Sequence, residues 1–396
     1  MGEKAKHFVL IRGLYDTLDL FSEELEAALK RLGHSVYVLN AVAMERQLPG
    51  LLELAATKGV DCVIAFNNLA YNLGTKEGGN LWDAMSVPYV DILMDHPFHF
   101  DRALQNMPAD AHLFVVDRNH VDYVKKYYTN IKRVSFLPHG GCANAISSLP
   151  DAPRDIDVLY AGALSRVLIE QLIPNFDAIV AFDGAAFSGR CLDRLISEPD
   201  LTTEEVIRQE LAEEGLAGLS PEEEQQYITD FRFLDGFAVS FYRENAVRNL
   251  VEHGIDVTTL GVGWEQCEWA DNPHLHIAGK VSAKEVFSYM RRAKVVLSTQ
   301  TWFKAGAHDR IFNGMLSGAA VVTDTSTYLQ EALNSTQCVL YNLTETGRLY
   351  ERVSALLNAD GARRELAAAG QAAAAANHTW ENRAYELLTE LADAGV

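Results

Sequence analysis

The chain has 396 residues, of which 48% are hydrophobic and 22% are charged, and its formal net charge is −20. This composition is typical of a globular protein, and the length predicts two domains rather than one core. The negative charge argues against a general nucleic-acid or anionic-membrane binder, because phosphate groups repel such a surface.

Neither membrane insertion nor metal binding is indicated by the sequence. No apolar run reaches the length of a membrane span, and the N-terminus has no signal-type apolar core. The cysteines are scattered, odd in number and without a CxxC pair: Cys62, Cys142, Cys191, Cys267 and Cys338. This pattern favours reduced thiols, so we expect a cytoplasmic protein without a zinc site.

The first part of the chain alternates short apolar runs with amphipathic stretches. Strands are predicted at residues 7–11, 35–39, 60–66, 87–93, 112–116 and 133–137. Most of these runs lack strict alternation, as is typical of parallel strands that are buried on both faces. The order predicts right-handed βαβ units and a Rossmann-like, doubly wound domain over residues 1–150.

The same pattern restarts after a proline-containing linker at residues 149–153. Strands are predicted at residues 156–161, 256–260, 274–277, 295–298, 320–323 and 338–341, which gives a second α/β domain over residues 151–377. A helical insertion is predicted at about 165–253; a solvated surface is its simplest interpretation, and a platform for an acceptor or partner is the alternative. A terminal helix is predicted at residues 378–396. Packing of this helix on the first domain is one possibility that the sequence leaves open.

In open α/β sheets, ligands bind beyond the carboxyl ends of the strands. In the first domain this rule selects Asp16, Asn67, Asp95, His96 and His139. Asp95 follows a buried strand and could act as a base or orient His96. The alternatives are that Asp95 caps a turn and that His139 is a hydrogen-bonded residue of a linker.

In the second domain, residues 298–331 are the most informative segment. A strand leads through a glycine-containing loop into a short helix, which is followed by Gly318 and a second buried strand. On a helical wheel Asp309, Arg310 and Asn313 share one arc, whereas apolar side chains occupy the opposite arc. One face therefore belongs to the core, and the other predicts a site for a phosphorylated ligand.

Cationic side chains and backbone N–H groups surround the predicted site. Gly162 and Arg166 follow one strand, and Lys304 and Arg310 follow another. Arginine suits a diphosphate because it binds two oxygens at once, and the turn at residues 325–327 would add a helix N-terminus. The alternative for Arg310 is a surface ion pair.

The second half resembles the nucleotide-binding domain of GT-B glycosyltransferases (glycosyl transferases group 1), in particular bacterial enzymes of the spore-maturation CgeB-like type. The segments that carry this resemblance are RIFNGMLSGAAVVT (residues 310–323) and HTWENR (residues 378–383). PYVDILMDHPF, HLFVVDRNHVDYVKKYY and VSFLPHGG in the first half are similar to the accompanying N-terminal domain. The resemblance implies two Rossmann-like domains that face a cleft.

The chain departs from this family at two positions. Many retaining GT-B enzymes carry a glutamate where Asn313 stands, and that glutamate holds the ribose of the donor. A second acid is common eight residues earlier, where this chain has Ala305. Asn313 can still hydrogen-bond a ribose, although without the help of a charge.

We therefore expect a glycosyltransferase that moves a sugar from a nucleotide-diphosphate donor to a glycan, a protein or a small molecule. Neither a metal nor a cofactor is expected, and the resemblance implies retention of configuration. The alternatives are a sugar-nucleotide epimerase of the same fold and a non-catalytic nucleotide-sugar-binding protein. Cleft closure would exclude water, because hydrolysis competes with transfer.

The candidate site residues fall into three groups. The catalytic candidates are Asp95, His96 and Arg310, and the acceptor-binding candidates are Asp16, Asn67 and His139. The donor-binding candidates are Gly162, Arg166, Lys280, Val281, Lys304, His308, Asn313, Ser326, Thr327 and Tyr328.

Overall fold

The structure is a computed structural model that describes residues 5–13, 15–146, 153–164 and 169–396. The chain divides into two compact units, residues 1–143 with 378–396 (unit 1) and residues 144–377 (unit 2). In the described residues each unit contains one six-stranded sheet, in which every neighbouring pair of strands is parallel. Two Rossmann-like domains, as predicted from the sequence, are therefore confirmed.

Unit 1 contains strands β1 (His7–Arg12), β2 (Ser35–Asn40), β3 (Cys62–Phe66), β4 (Tyr89–Leu93), β5 (Ala111–Val115) and β6 (Arg133–Phe136). Its helices are Asp16–Arg31, Met44–Thr57, Leu81–Met85, Asp101–Leu104, Arg118–Tyr127 and Trp380–Asp393. The sheet order is β2-β1-β3-β4-β5-β6. Every residue of β3, β4 and β5 is buried, which explains why these strands have continuous apolar sequences.

The end of the chain packs within unit 1. Trp380 is 1% exposed, and its ring packs against those of Phe21 and Phe66 at centroid distances of 5.2 and 5.6 Å. Gly140 allows this contact, since a Cβ atom there would lie 2.9 Å from the backbone nitrogen of Trp380. The segments LPHGG and HTWENR thus dock the C-terminal helix on the first sheet.

Unit 2 contains strands β7 (Ile156–Ala161), β8 (Val257–Leu260), β9 (Leu275–Gly279), β10 (Ala293–Ser298), β11 (Ala320–Asp324) and β12 (Val339–Tyr341). Its helices are Phe176–Ile179, Gly184–Ser197, Thr203–Glu213, Pro221–Asp230, Phe233–Glu252, Ala283–Arg292, Asp309–Leu316, Thr327–Ala332, Leu349–Asn358 and Asp360–Asn377. The sheet order is β12-β11-β10-β7-β8-β9, so β7 and β10 are neighbours near its centre.

The predicted insertion between β7 and β8 is helical in its described part. Thr202 and Ser220 begin two of its helices with capping boxes, in which the hydroxyl and a glutamate three residues later satisfy the first N–H groups. Within the described residues, no helix of the protein is both long and apolar enough to cross a bilayer.

Candidate functional site

The carboxyl ends of β7 and β10 bring Gly162 and Arg310 together in unit 2. These strands are hydrogen-bonded neighbours, and Gly162 directly follows β7. A Cβ atom on Gly162 would lie 3.3 Å from Nη2 of Arg310 and 3.1 Å from the ring of Tyr160. A larger residue at position 162 would therefore displace the guanidinium.

Arg310 is a buried cation beside this loop. Its side chain is only 9% exposed, and its Cζ lies 5.7 Å from the ring centre of Tyr160. Nη1 is buried and has no hydrogen-bond partner among the described residues. Desolvation lowers the pKa of Arg310, but a guanidinium stays charged at neutral pH. A bound anion would compensate this buried charge.

Asp309 links its two polar neighbours on the same helix. One of its oxygens lies 2.6 Å from Nδ1 of His308, and the other accepts a hydrogen bond of 2.8 Å from Nδ2 of Asn313. Desolvation and the charge of Arg310 lower the pKa of His308, so the imidazole is neutral. Nδ1 also lies 3.2 Å from the backbone nitrogen of Arg310, as the N-cap of the helix, and Nε2 lies 3.4 Å from Nη2 of Arg310; the tautomer decides which of the two nitrogens accepts.

Asp309 was on the predicted polar arc but was not among the donor-binding candidates. The signal for it was available, because residues four apart on a helix lie side by side and here pair a carboxylate with an amide. Asn313 itself is buried, at 3% exposure. Asn313, the position at which the resemblance led us to expect an acid, is therefore hydrogen-bonded to one.

Lys304, Ser326 and Thr327 fasten the loop that leads to this helix. The ammonium of Lys304 donates to the carbonyl of Pro199, and its own carbonyl accepts from the backbone nitrogen of Thr327 at 3.0 Å. The hydroxyl of Ser326 donates to the carbonyl of Gly306 at 2.6 Å. These groups have structural partners, and a phosphate-binding role for them stays a prediction, as it does for the buried Tyr328.

A buried carboxylate fixes the start of the same loop. Asp324 accepts from the backbone nitrogen of Gln300 at 2.7 Å, and the side-chain oxygen of Gln300 accepts from that of His308 at 3.1 Å. Burial raises the pKa of Asp324 to about 6, although this hydrogen bond and the charge of Lys304 oppose the shift. Gln300 therefore links the end of β11 to His308, the residue that precedes the helix Asp309–Leu316.

The remaining donor-binding candidates do not contact Arg310 in the described residues. Lys280 and Val281 follow β9 at the edge of the sheet, and β7 and β8 lie between that strand and β10. With strands about 4.8 Å apart, the end of β9 lies roughly 10 Å along the sheet from the end of β7, where Gly162 meets Arg310. Lys280 is exposed and Val281 is half-buried. Arg166 lies outside the described residues.

In unit 1, the carboxyl ends of β1, β3 and β4 assemble a second polar cluster. Nδ2 of Asn67 donates to Asp95 at 3.1 Å, and Oδ1 of Asn67 accepts from the backbone nitrogen of Met94 at 2.8 Å. Desolvation raises the pKa of Asp95, and the bond from Asn67 opposes this shift. Desolvation and the charge of Asp95 raise the pKa of Tyr15 to about 12, so its phenol is protonated at neutral pH.

The loop that presents Asn67 has an unusual backbone. Asn67, Asn68 and Ala70 have φ values of 47°, 61° and 59°, a left-handed region that asparagine tolerates better than alanine. Buried side chains hold it, because the backbone nitrogen of Asn68 donates to Asp91 at 2.9 Å and the indole of Trp82 donates to the carbonyl of Ala70 at 2.8 Å. Such strain is common at functional sites.

Three first-domain candidates have packing or surface positions. His96 is buried, and its ring stacks on Phe98 with centroids 3.7 Å apart. His139 is also buried, with its ring against the edge of Phe21 at 6.0 Å. Asp16 is exposed in the first turn of its helix, where a carboxylate favours the helix dipole. The catalytic and acceptor-binding roles of these residues stay predictions.

One family model matches part of the chain. Residues 243–389 match a family model described as glycosyl transferase-like. No curated protein is significantly similar to the chain in sequence.

Solved structures resemble the whole chain. A sucrose-phosphate synthase from Thermosynechococcus elongatus has a TM-score of 0.57 at 10% identity, over 99% of this chain and 100% of that one. Anabaena HepE in complex with UDP and glucose has a TM-score of 0.50 at 11% identity, over 98% and 100%. AviGT4, a glycosyltransferase of avilamycin A biosynthesis, has a TM-score of 0.51 at 14% identity, over 99% of both chains.

Identities this low establish the fold alone. The two six-stranded parallel sheets with flanking helices are those of GT-B structures, which confirms the predicted fold class. The chain thus has the GT-B fold, and its match to the glycosyl transferase-like model supports a glycosyltransferase.

Proposed function

We propose that the protein is a glycosyltransferase that moves a sugar from a nucleotide-diphosphate donor to a glycan, protein or small-molecule acceptor. The observation that carries this proposal is the buried guanidinium of Arg310 beside the backbone of Gly162, whose Nη1 has no hydrogen-bond partner in the described part of the chain. A cation with an unused donor attracts a phosphate, and a glycine lets that phosphate approach the backbone. The match over residues 243–389 supports the same function.

Arg310 would act on the leaving group. When the bond between the anomeric carbon and the phosphate oxygen breaks, negative charge grows on the departing diphosphate, and a fixed guanidinium stabilises it. A cation supplied by the protein can do this without a divalent metal, so we propose a metal-independent reaction. With retention, the departing phosphate oxygen takes the proton of the acceptor hydroxyl as the new glycosidic bond forms.

Asp309 and Asn313 would recognise the ribose of the donor. Asn313 lacks the charge of the acid found in related enzymes, but its amide is bonded to the carboxylate of Asp309. That carboxylate polarises the amide, and an amide oxygen is the kind of group that accepts a hydrogen bond from a sugar hydroxyl. Because the HepE structures contain UDP, UDP and glucose, or UDP-glucose, UDP-sugars are the first donors to test.

Unit 1 would bind the acceptor through Tyr15, Asn67 and Asp95. This cluster combines an aromatic ring that is 50% exposed with an amide and a carboxylate. An exposed ring and planar polar groups suit a hydroxyl-bearing molecule. If the reaction inverted configuration, Asp95 would be the base, and its raised pKa would help it to accept a proton.

The CgeB-like assignment and a cytoplasmic location are further parts of the proposal. The segments at residues 310–323 and 378–383 support the assignment. None of the five cysteines, all of which are described and buried, forms a disulfide bond, which agrees with a reducing compartment.

Mass spectrometry of the products tests the proposed reaction. The protein is incubated with single nucleotide sugars, with and without a panel of glycan, peptide and small-molecule acceptors, and Arg310→Ala is the control. We expect release of the nucleoside diphosphate that an acceptor accelerates and that the variant lacks. If the sugar changes while the donor stays intact, the protein is an epimerase rather than a transferase. An unaltered donor in every mixture would contradict catalysis of transfer.

A further inference from the structure

The helix Phe233–Glu252 brings a second arginine to the edge of the sheet where Arg310 lies. Nη1 of Arg243 donates to the carbonyl of Ala163, the residue after Gly162. Its guanidinium carbon lies 5.5 Å from the ring centre of Trp302, in the loop that follows β10. Arg243 and Arg310 therefore contact consecutive residues of one loop.

The two arginines repel each other in this structure. After desolvation, which is the main cause, the charge of Arg243 contributes to the lowered pKa of Arg310, and it also lowers that of His308. Nε of Arg243 is buried and has no hydrogen-bond partner among the described residues. Two like charges with unused buried donors are unfavourable unless an anion binds between them.

We propose that Arg243 is a ligand of the donor diphosphate, with Arg310 as its counterpart across the Gly162–Ala163 backbone. A diphosphate has two phosphoryl groups, and each guanidinium can donate to one of them through two N–H groups. The nucleotide part of this inference rests on the proposed function, whereas the anion site does not. The last helix of the predicted insertion is thus part of the donor site rather than only a solvated surface.

Calorimetric titration of Arg243→Met with UDP, inorganic pyrophosphate and uridine tests this role. Arg248→Met is the matched control, since Arg248 lies on the same helix, exposed and paired with Glu252 at 2.7 Å. We expect UDP and pyrophosphate to bind Arg243→Met about ten- to a hundredfold more weakly, because a charge-assisted hydrogen bond is lost. Uridine binding should not change, and the control should match the wild type.

A folded Arg243→Met protein that binds pyrophosphate as tightly as the wild type would overturn the proposal. If that variant does not fold, Arg243→Lys replaces it, because lysine keeps the charge and can still donate to Ala163. The lysine variant should bind pyrophosphate several-fold more weakly, and unchanged binding would again count against Arg243. If the wild type binds pyrophosphate but no nucleotide, the proposed function is refuted and the anion site stands. If it binds neither, the proposed function and the anion site are both refuted.

Discussion

Arg310 is buried, and its Nη1 has no hydrogen-bond partner among the residues that the structure describes. We predict that Arg310→Met unfolds at the same temperature as the wild type or higher, because replacing a buried charge that has an unsatisfied donor with an apolar chain removes a desolvation cost. The same variant should lose all stabilisation by a nucleotide sugar. Thermal unfolding with and without the ligand measures both effects.

Arg154 provides the matched control for this prediction. Its guanidinium donates to the carbonyls of Met290, Ala293 and Ser317 within the same unit. Arg154→Met should therefore lower the free energy of unfolding by about 2 kcal/mol or more, since hydrogen bonds to a charged group are lost. An Arg310→Met protein that is destabilised to the same extent would indicate a structural role for Arg310.

At the level of single residues, the sequence predicted the polar arc and missed the contacts. Helical spacing alone places Asp309, Arg310 and Asn313 on one face. It does not tell that the carboxylate of Asp309 bonds to Asn313, since this depends on side-chain rotamers. Arg243 was missed because it lies far from Gly162 in the sequence, and only the packing of its helix brings it to the loop.

The helix Asp309–Leu316 depends on Gly314 for its close approach to the sheet. A Cβ atom there would lie 3.1 Å from Cγ1 of Val296 on β10 and from Cγ2 of Val321 on β11. Both valines are fully buried and cannot move aside easily. We predict that Gly314→Ala lowers the free energy of unfolding by about 1 to 3 kcal/mol, as measured by denaturant titration.

The same substitution in an open position should have the opposite effect. Gly189 lies within the helix Gly184–Ser197, and a Cβ atom there would meet no heavy atom within 4 Å. Gly189→Ala should stabilise the protein by about 0.5 to 1 kcal/mol through helix propensity alone. Equal effects at the two positions would show that Gly314 does not set the distance between the helix and the sheet.

The sequence predicted the positions of the strands in both sheets better than their order in the sheets. Apolar runs predicted β3 and β4, but both strands begin two residues later than expected, at Cys62 and Tyr89. The strand order could not be predicted, because it depends on which way each crossover turns. The edge position of β9, where residues 276–278 are exposed, follows from that order.

At the scale of the whole molecule, the length and the apolar pattern predicted two α/β domains and left the packing of residues 378–396 on the first domain as one open arrangement. Residues 378–396 return to unit 1, and this path depends on the fit of Trp380 against Phe21 and Phe66. Such a fit is not visible in a hydrophobic pattern. The GT-B fold was predicted because loose motifs follow one another in the order typical of one family.

The central claim is that the protein binds a nucleotide-diphosphate sugar, and thermal unfolding with UDP-, GDP-, ADP- and dTDP-sugars tests it most directly. A ligand that binds only the native state stabilises it by about 2.7 kcal/mol at a hundredfold excess over Kd. We predict that millimolar concentrations of at least one of these donors raise the unfolding temperature of the wild type by about 3 °C or more, and that the corresponding nucleoside does not. No shift with any of them would contradict the claim.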